Sequence, residues 1–352
     1  MADKAASSWI SCAVGSLAGS PDLQAVHVLA CDPETGDMRL KHTVRGVRGT
    51  SFLTLAPDGG TLYSAIRLAD PPAKRSALVA FSVSGGALGE MRTVAELPCE
   101  PPCHLSLSPD GRFMAFAAYF SATAGTVRLT DGRTAIVVHD DALRGPNARR
   151  QDKAHAHCTV FTPDGARLGI VDLGLDRIFF YDPVTMLRDD EMTIVAPPGL
   201  GPRHALFSHE GTFLYTVGEL GNTVSSYAFD GRSFTSVCTE STLPDGWVGE
   251  TKASAIRLTG DGELLMASNR GHDSIAFFAV DRASGVLTPK GVCRLCGRSP
   301  RDFRLLPGER YALVGHEASD EIQMYAFDRE ICTLSPVGAP VKAWKPVSFC
   351  FL

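Results

Sequence analysis

A short turn sequence, Pro-Asp-Gly or a near copy of it, returns about every fifty residues along this chain, each time between two hydrophobic runs. The copies are Leu55-Ala-Pro-Asp-Gly59, Leu107-Ser-Pro-Asp-Gly111, Phe161-Thr-Pro-Asp-Gly165, Phe207-Ser-His-Glu-Gly211, Leu258-Thr-Gly-Asp-Gly262 and the degenerate Leu305-Leu-Pro-Gly308. Proline presets φ and glycine accepts positive φ, so each copy reads as a hairpin turn. Runs such as Arg177-Ile-Phe-Phe-Tyr181 are β-branched and aromatic, as half-buried strands prefer. A period of this length built from strands and tight turns means a radial or solenoidal array, and 352 residues hold seven units. Each unit reads as four strands and needs neighbours to bury its faces. The expectation is a single all-β domain over residues 1–352, a seven-bladed β-propeller with four-stranded antiparallel blades. Strand-like runs at Trp9–Val14 and Pro346–Leu352 would meet in one blade or in adjacent blades and close the ring, which removes open sheet edges.

Composition excludes several classes of partner. With 34 basic and 39 acidic residues the net charge is −5, and no basic run tracks a phosphate backbone, so no nucleic-acid partner is expected. No apolar run reaches the length of a membrane span, and Met1–Ser8 lacks the apolar core of a signal peptide. The ten cysteines are scattered, and Cys12, Cys158 and Cys350 sit inside strand-like runs. Free thiols packed as small apolar groups fit a reducing cytoplasm. Cys293-Arg-Leu-Cys296 has metal-ligand spacing but no second pair, so no metal or other cofactor is expected. Nothing specifies an oligomeric state. Two long irregular stretches, Asp140–Lys153 and Thr239–Lys252, read as loops of a length that is more often functional than idle.

The turns also orient the chain. Each joins the first and second strand of a blade on one face of the disc. The start of the first strand and the end of the second therefore meet on the other face, near the central channel. First strands begin with His104, with His155 and His157, with Arg203 and His204, with Lys252 and with Arg301. Second strands end with Arg67, Tyr119, Asp172, Glu219, Arg270 and Glu317. Acid/base groups and cations thus gather at one mouth. His or Glu moves protons near neutral pH once its pKa is tuned, and guanidinium forks bind carboxylate or phosphate. No Gly-x-Ser-x-Gly motif supplies a nucleophile, which leaves direct water attack or proton transfer without a covalent intermediate. His155, Arg203, Glu219 and Arg270 form the candidate catalytic set. His104, His157, His204, Arg301, Tyr119 and Asp172 are candidate substrate contacts, with Asp172 also readable as a turn residue. His27, His42, His139 and His209 fall away from the mouth as surface or packing residues.

At these residues the chain resembles the seven-bladed propeller lactonases, a group that includes propeller-type 6-phosphogluconolactonases and the fungal 3-carboxy-cis,cis-muconate lactonizing enzymes. The resemblance is carried by Gly145–Gln151 leading to His155–Cys158, by Val171–Gly174 with Asp176 and Arg177, and by Gly201–His204. Gly218–Asn222, Ser268–Arg270, Pro300–Phe303 and Pro102–Ser106 extend it over nearly the whole chain. The family's proposed active-site residues would fall on His155, Arg203, Glu219 and Arg270. Gly315-His-Glu-Ala-Ser departs from the amide-containing segment of many relatives, and the loop before Lys252 has no match.

Three functions follow as expectations. The first is hydrolysis of a sugar-acid lactone, with 6-phosphogluconolactone the leading candidate, by metal-independent acid/base catalysis with an arginine clamp. The second keeps the site and makes it a cycloisomerase that forms or opens a muconate-type lactone from a polycarboxylate. The third is a non-catalytic propeller that binds a partner or small anion, since fold alone does not assign function.

Overall fold

A computed structural model of the chain describes residues 9–17, 25–68, 74–139 and 142–352. The leader reading of Met1–Ser8 and the first two residues of the Asp140–Lys153 loop lie outside the described residues. Twenty-eight strands, β1 to β28 in chain order, form seven four-stranded sheets in which every neighbouring pair among the described residues is antiparallel. In six sheets the strands follow one another in sequence. The seventh has the order β28 (Pro346–Phe351), β1 (Ile10–Ser16), β2 (Ala25–Cys31), β3 (Met38–Arg45). Both ends of the chain therefore share one blade, in the register Cys12 to Phe351, Ala13 to Cys350 and Val14 to Phe349. The C-terminal strand takes the innermost place there.

Position in the blade explains composition. Second strands lie between the neighbouring blades on both faces, so they are largely apolar and closely covered: every residue of β9 (Phe113–Ala118) and β13 (Leu168–Asp172) is buried. Outermost strands face water and read as mixed, as in Arg188–Val195 with its run of charges. Blades interlock through small residues facing large ones. Ala115, Ala117 and Ala124 of the third blade pack against Leu168, Ile170 and Phe179 of the fourth, the size alternation that close packing of facing sheets requires.

The recurring turn closes in the same way in each copy. Gly111 N–H donates to Ser108 O at 2.8 Å, and Asp110 Oδ1 accepts from the Arg112 N–H at 3.0 Å. Gly111 has φ of +70°, and Gly59, Gly165, Gly211 and Gly262 repeat that value closely. In the last blade the turn is Leu306–Glu309 and Glu309 takes the left-handed position, φ +54°. An added Cβ at Gly111 would meet nothing within 4 Å, so the cost of Gly111→Ala is purely conformational. It is expected to be about 1 kcal/mol, read as a lowered denaturation midpoint with unchanged slope.

Candidate active site

The strands that carry the mouth residues share a local irregularity. β12 (Ala156–Phe161), β16 (Pro202–Phe207) and β24 (Pro300–Leu305) each slip by one residue against their partner at the second position. The extra residues are His157, Arg203 and Arg301. β28 does the same at Val347. A bulge turns its extra side chain away from the pleat, and all four of these residues line one cavity of about 510 Å³ at the channel mouth. Four blades thus aim one residue each at a common point.

Glu219 follows directly on β17 (Phe213–Gly218), its N–H donating to Gly201 O at 2.8 Å. Its carboxylate is 2% exposed for the whole residue and is shared by three guanidinium groups. Arg203 Nε lies 3.1 Å from Oε2, Arg270 Nη2 2.9 Å from Oε2, and Arg150 Nη2 2.6 Å from Oε1. Burial alone would push the carboxyl up, but Arg270, Arg203 and Arg150 hold it well below the ordinary carboxylate range. The opposite strain falls on Arg203. Burial, and then the charges of Arg270 and Arg301, push it down to about 9, because one carboxylate cannot neutralise three cations. Arg301 is paired separately, with Glu317 Oε2 at 3.1 Å. Arg270 Nε is buried with no hydrogen-bond partner among the described residues.

Arg150 reaches Glu219 from the first long loop. Asn147 turns the loop by accepting the Arg149 and Arg150 N–H groups on Oδ1, both at 3.2 Å. Gln151, fully buried, ties it to the fourth blade by donating to Leu173 O and Asp176 Oδ1. Arg150 also donates to the Tyr119 hydroxyl at 3.1 Å. Below the arginines three imidazoles meet edge to face: His104 to His204 at 5.2 Å and His157 to His204 at 5.3 Å between centroids. Burial, reinforced by the charges of Arg203 and Arg257, lowers His204 well below the ordinary histidine value, and His104 is lowered to about 3 by burial, Arg257 and Arg203.

Of the candidate residues from the sequence, Arg203, Glu219, Arg270, Arg301, Tyr119, His157 and His204 line the cavity together. His104 lies one layer deeper, against Phe52 and His204. His155 does not line it. Its ring lies flat against Tyr119, 4.2 Å between centroids at 7°, and its two nitrogens face Tyr119 O and Asp152 Oδ1 at 3.1 and 3.2 Å. Asp172 is also off the wall and fully buried. Oδ1 accepts the N–H groups of His155, Gly174 and Leu175, and Oδ2 lies 2.6 Å from His139 Nδ1, which makes Asp172 a turn residue in this structure. His139, read as a surface or packing residue, is its buried partner. Cys293 and Cys296 face different groups: Cys293 Sγ accepts from Leu334 N, and Cys296 Sγ lies 3.0 Å from Tyr325 Oη. The reading by strand ends missed Arg150, Cys103 and Glu100. Two signals pointed towards Arg150: the length of the Asp140–Lys153 stretch and the Gly145–Gln151 segment of the family resemblance.

Comparison with known proteins adds to this geometry. Residues 11–351 match the model of the family described as "Lactonase, 7-bladed beta-propeller". A 6-phosphogluconolactonase of Bacillus subtilis is 31% identical over 255 residues, 71% of this chain and 73% of that protein. An uncharacterised protein of Staphylococcus saprophyticus is 32% identical over 228 residues, 62% of this chain, and the match spans 64% of that protein's length. Among solved structures, the periplasmic gluconolactonase PpgL of Pseudomonas aeruginosa superposes with a TM-score of 0.87 at 29% identity, over 98% of this chain and 99% of that one.

Proposed function

The chain belongs to the seven-bladed β-propeller lactonase family, and from that premise we propose that it hydrolyses a phosphorylated sugar-acid lactone, 6-phosphogluconolactone or a close relative, at Glu219. The observation that carries the reading is the sharing of one buried carboxylate by three arginines. Such a site holds surplus positive charge at low dielectric and is stabilised by an incoming anion. Five arginines and two glutamates line the cavity, which favours a substrate with more than one negative charge. The phosphogluconolactonase name of the B. subtilis relative points the same way.

The chemistry follows from the charge balance. In the free protein Glu219 is a poor base, because its arginines hold it ionised. A bound anion divides the field of Arg150 and Arg270 and adds its own charge, and both effects raise the Glu219 pKa. Glu219 then takes a proton as water attacks the lactone carbonyl carbon. Arg203 and the free Nε–H of Arg270 stabilise the oxyanion that forms. Collapse of the tetrahedral intermediate breaks the ring C–O bond, and the leaving alkoxide recovers the proton from Glu219. The product is an open hydroxy acid, which ionises and releases one proton. His155 acts through Tyr119 and Arg150 as a positioning residue. The ten unpaired thiols support a cytoplasmic site of action.

Proton release from 6-phosphogluconolactone and from the unphosphorylated lactone, with ultraviolet absorbance on a carboxymuconate, tests the reading. The phosphorylated lactone should be turned over with kcat/KM about tenfold or more above the unphosphorylated one, the worth of one charge-assisted contact. No turnover of either lactone overturns it, and turnover of the carboxymuconate alone replaces it with cycloisomerisation.

A further inference from the structure

The cavity has a second wall that the chemistry at Glu219 does not use. β5 (Thr61–Arg67) ends at Arg67 in the second blade, three blades round a seven-bladed ring from Glu219 and therefore on the far side. Four of the five lining arginines are ion-paired: Arg150, Arg203 and Arg270 with Glu219, and Arg301 with Glu317. The Arg67 guanidinium has no such partner among the described residues, although it faces the same cavity. Glu100, on the connection into the third blade, lines this wall as well. Its Oε1 accepts the Ser121 N–H at 2.9 Å, while Oε2 is buried with no donor. A buried acceptor without a donor is costly and is satisfied when a ligand brings one.

We infer that Arg67 and Glu100 form a sugar-recognition subsite, in which Arg67 binds the anionic group at the end of the substrate remote from the lactone and Glu100 Oε2 accepts a hydrogen bond from a substrate hydroxyl. The inference rests on the lactonase reading for the orientation of the substrate. The two residues select by complementary chemistry. Arg67 gains with any remote anion, phosphate or carboxylate. Glu100 gains only with a hydroxyl donor and repels a carboxylate placed against it, so it discriminates against polycarboxylates that lack hydroxyls. The same cavity is lined by small and apolar surfaces, Gly49, Phe52 and Val347, which suit the packing of a sugar carbon chain.

Two product ligands separate the contributions: 6-phosphogluconate, which carries the remote anion, and gluconate, which lacks it. Titration calorimetry on the full chain should show Arg67→Ala weakening 6-phosphogluconate on the order of 10–100-fold with little change for gluconate, and Arg67→Lys weakening it less. Glucarate, with a carboxylate at the remote end, should follow 6-phosphogluconate in its dependence on Arg67, and glucarate binding that Arg67→Ala leaves unchanged would overturn the assignment of Arg67 to any remote anion. Glu100→Ala should weaken both gluconate and 6-phosphogluconate about tenfold. In turnover the same variants should raise KM and leave kcat near its wild-type value. Equal weakening of gluconate and 6-phosphogluconate by Arg67→Ala, no weakening, or no binding of 6-phosphogluconate to the unaltered protein overturns the subsite. Arg67-dependent binding without turnover of any lactone would overturn the proposed reaction and leave the subsite standing. Turnover unaffected by Arg67→Ala would do the reverse. Melting temperatures equal to wild type exclude misfolding as the cause.

Discussion

Glu219→Gln is expected to lower kcat for lactone hydrolysis by about 10²–10⁴ without raising KM, the range spanned by loss of a positioned general base. Glutamine keeps the shape of the side chain but cannot take a proton at neutral pH. It also removes the one negative charge that Arg150, Arg203 and Arg270 share. Breaking a buried ion pair on one side costs about 3–5 kcal/mol, so the variant should melt earlier than wild type. The unneutralised arginines should bind anions more tightly, and added phosphate should restore part of the lost stability. The combination is diagnostic: a residue that only holds the fold lowers stability without giving lower kcat at constant KM together with phosphate rescue. Steady-state kinetics and melting curves with and without phosphate read both effects. A kcat within a few-fold of wild type sinks the assignment of Glu219 as base. His155→Ala should be milder, because His155 touches Tyr119 rather than the cavity. A loss of about tenfold is expected, appearing in both kcat and KM, since Arg150 leans on the same tyrosine.

The repeat made the architecture readable for a simple reason. A hairpin turn of known hand fixes the direction of two strands at once, so six copies of one turn fixed the two faces of the disc. That placed Arg203, Glu219 and Arg270 at one mouth although they come from two blades and three strand ends. Its limit lies in the bulges. At β12 the extra residue at His157 breaks the alternation of the strand, so His157 faces the cavity while His155, two residues earlier, packs behind Tyr119. A one-residue slip reverses which side chains face inward, and no pattern of residue types announces it. Arg150 was hidden for another reason. It stands on a loop whose path is set by Asn147 turning it locally and by Gln151 tying it to the fourth blade, contacts outside the repeat period. Ring closure within one blade was likewise open in the sequence, since both terminal runs are strand-like and only their register decides between one blade and two.

Stability should fall as the pH drops below about 6.5, through the three histidines beneath the arginines and through His316, buried against Tyr325 in the last blade. Burial lowers His104 to about 3 and His316 to about 4, and it lowers His157 and His204 well below the ordinary value with further lowering from Arg203. These rings are neutral in the folded protein at a pH where the unfolded chain protonates them near 6.5. Their contribution is intact above that value and is lost as pH falls towards the folded-state values, at about 1.4 kcal/mol per pH unit for each ring. Glu219 acts in the same direction lower down. Its depressed pKa supplies stability above the ordinary glutamate value that is lost as pH falls through the acid range. For His104 and His316 alone, two rings over two pH units amount to about 5 kcal/mol, a large part of the stability of an ordinary domain. Denaturant unfolding from pH 8 to pH 4 should therefore show stability falling as the pH drops below about 6.5, with the unfolded chain taking up more protons than the folded one. His204→Gln should make that fall shallower while leaving stability at pH 8 within a few kcal/mol of wild type. A flat profile between pH 7 and pH 5 would mean that water or a counter-charge reaches the imidazoles. The cavity floor would then be a wet site able to hold a proton, and the case for Glu219 as the base would have to be made against His157, which sits beside it.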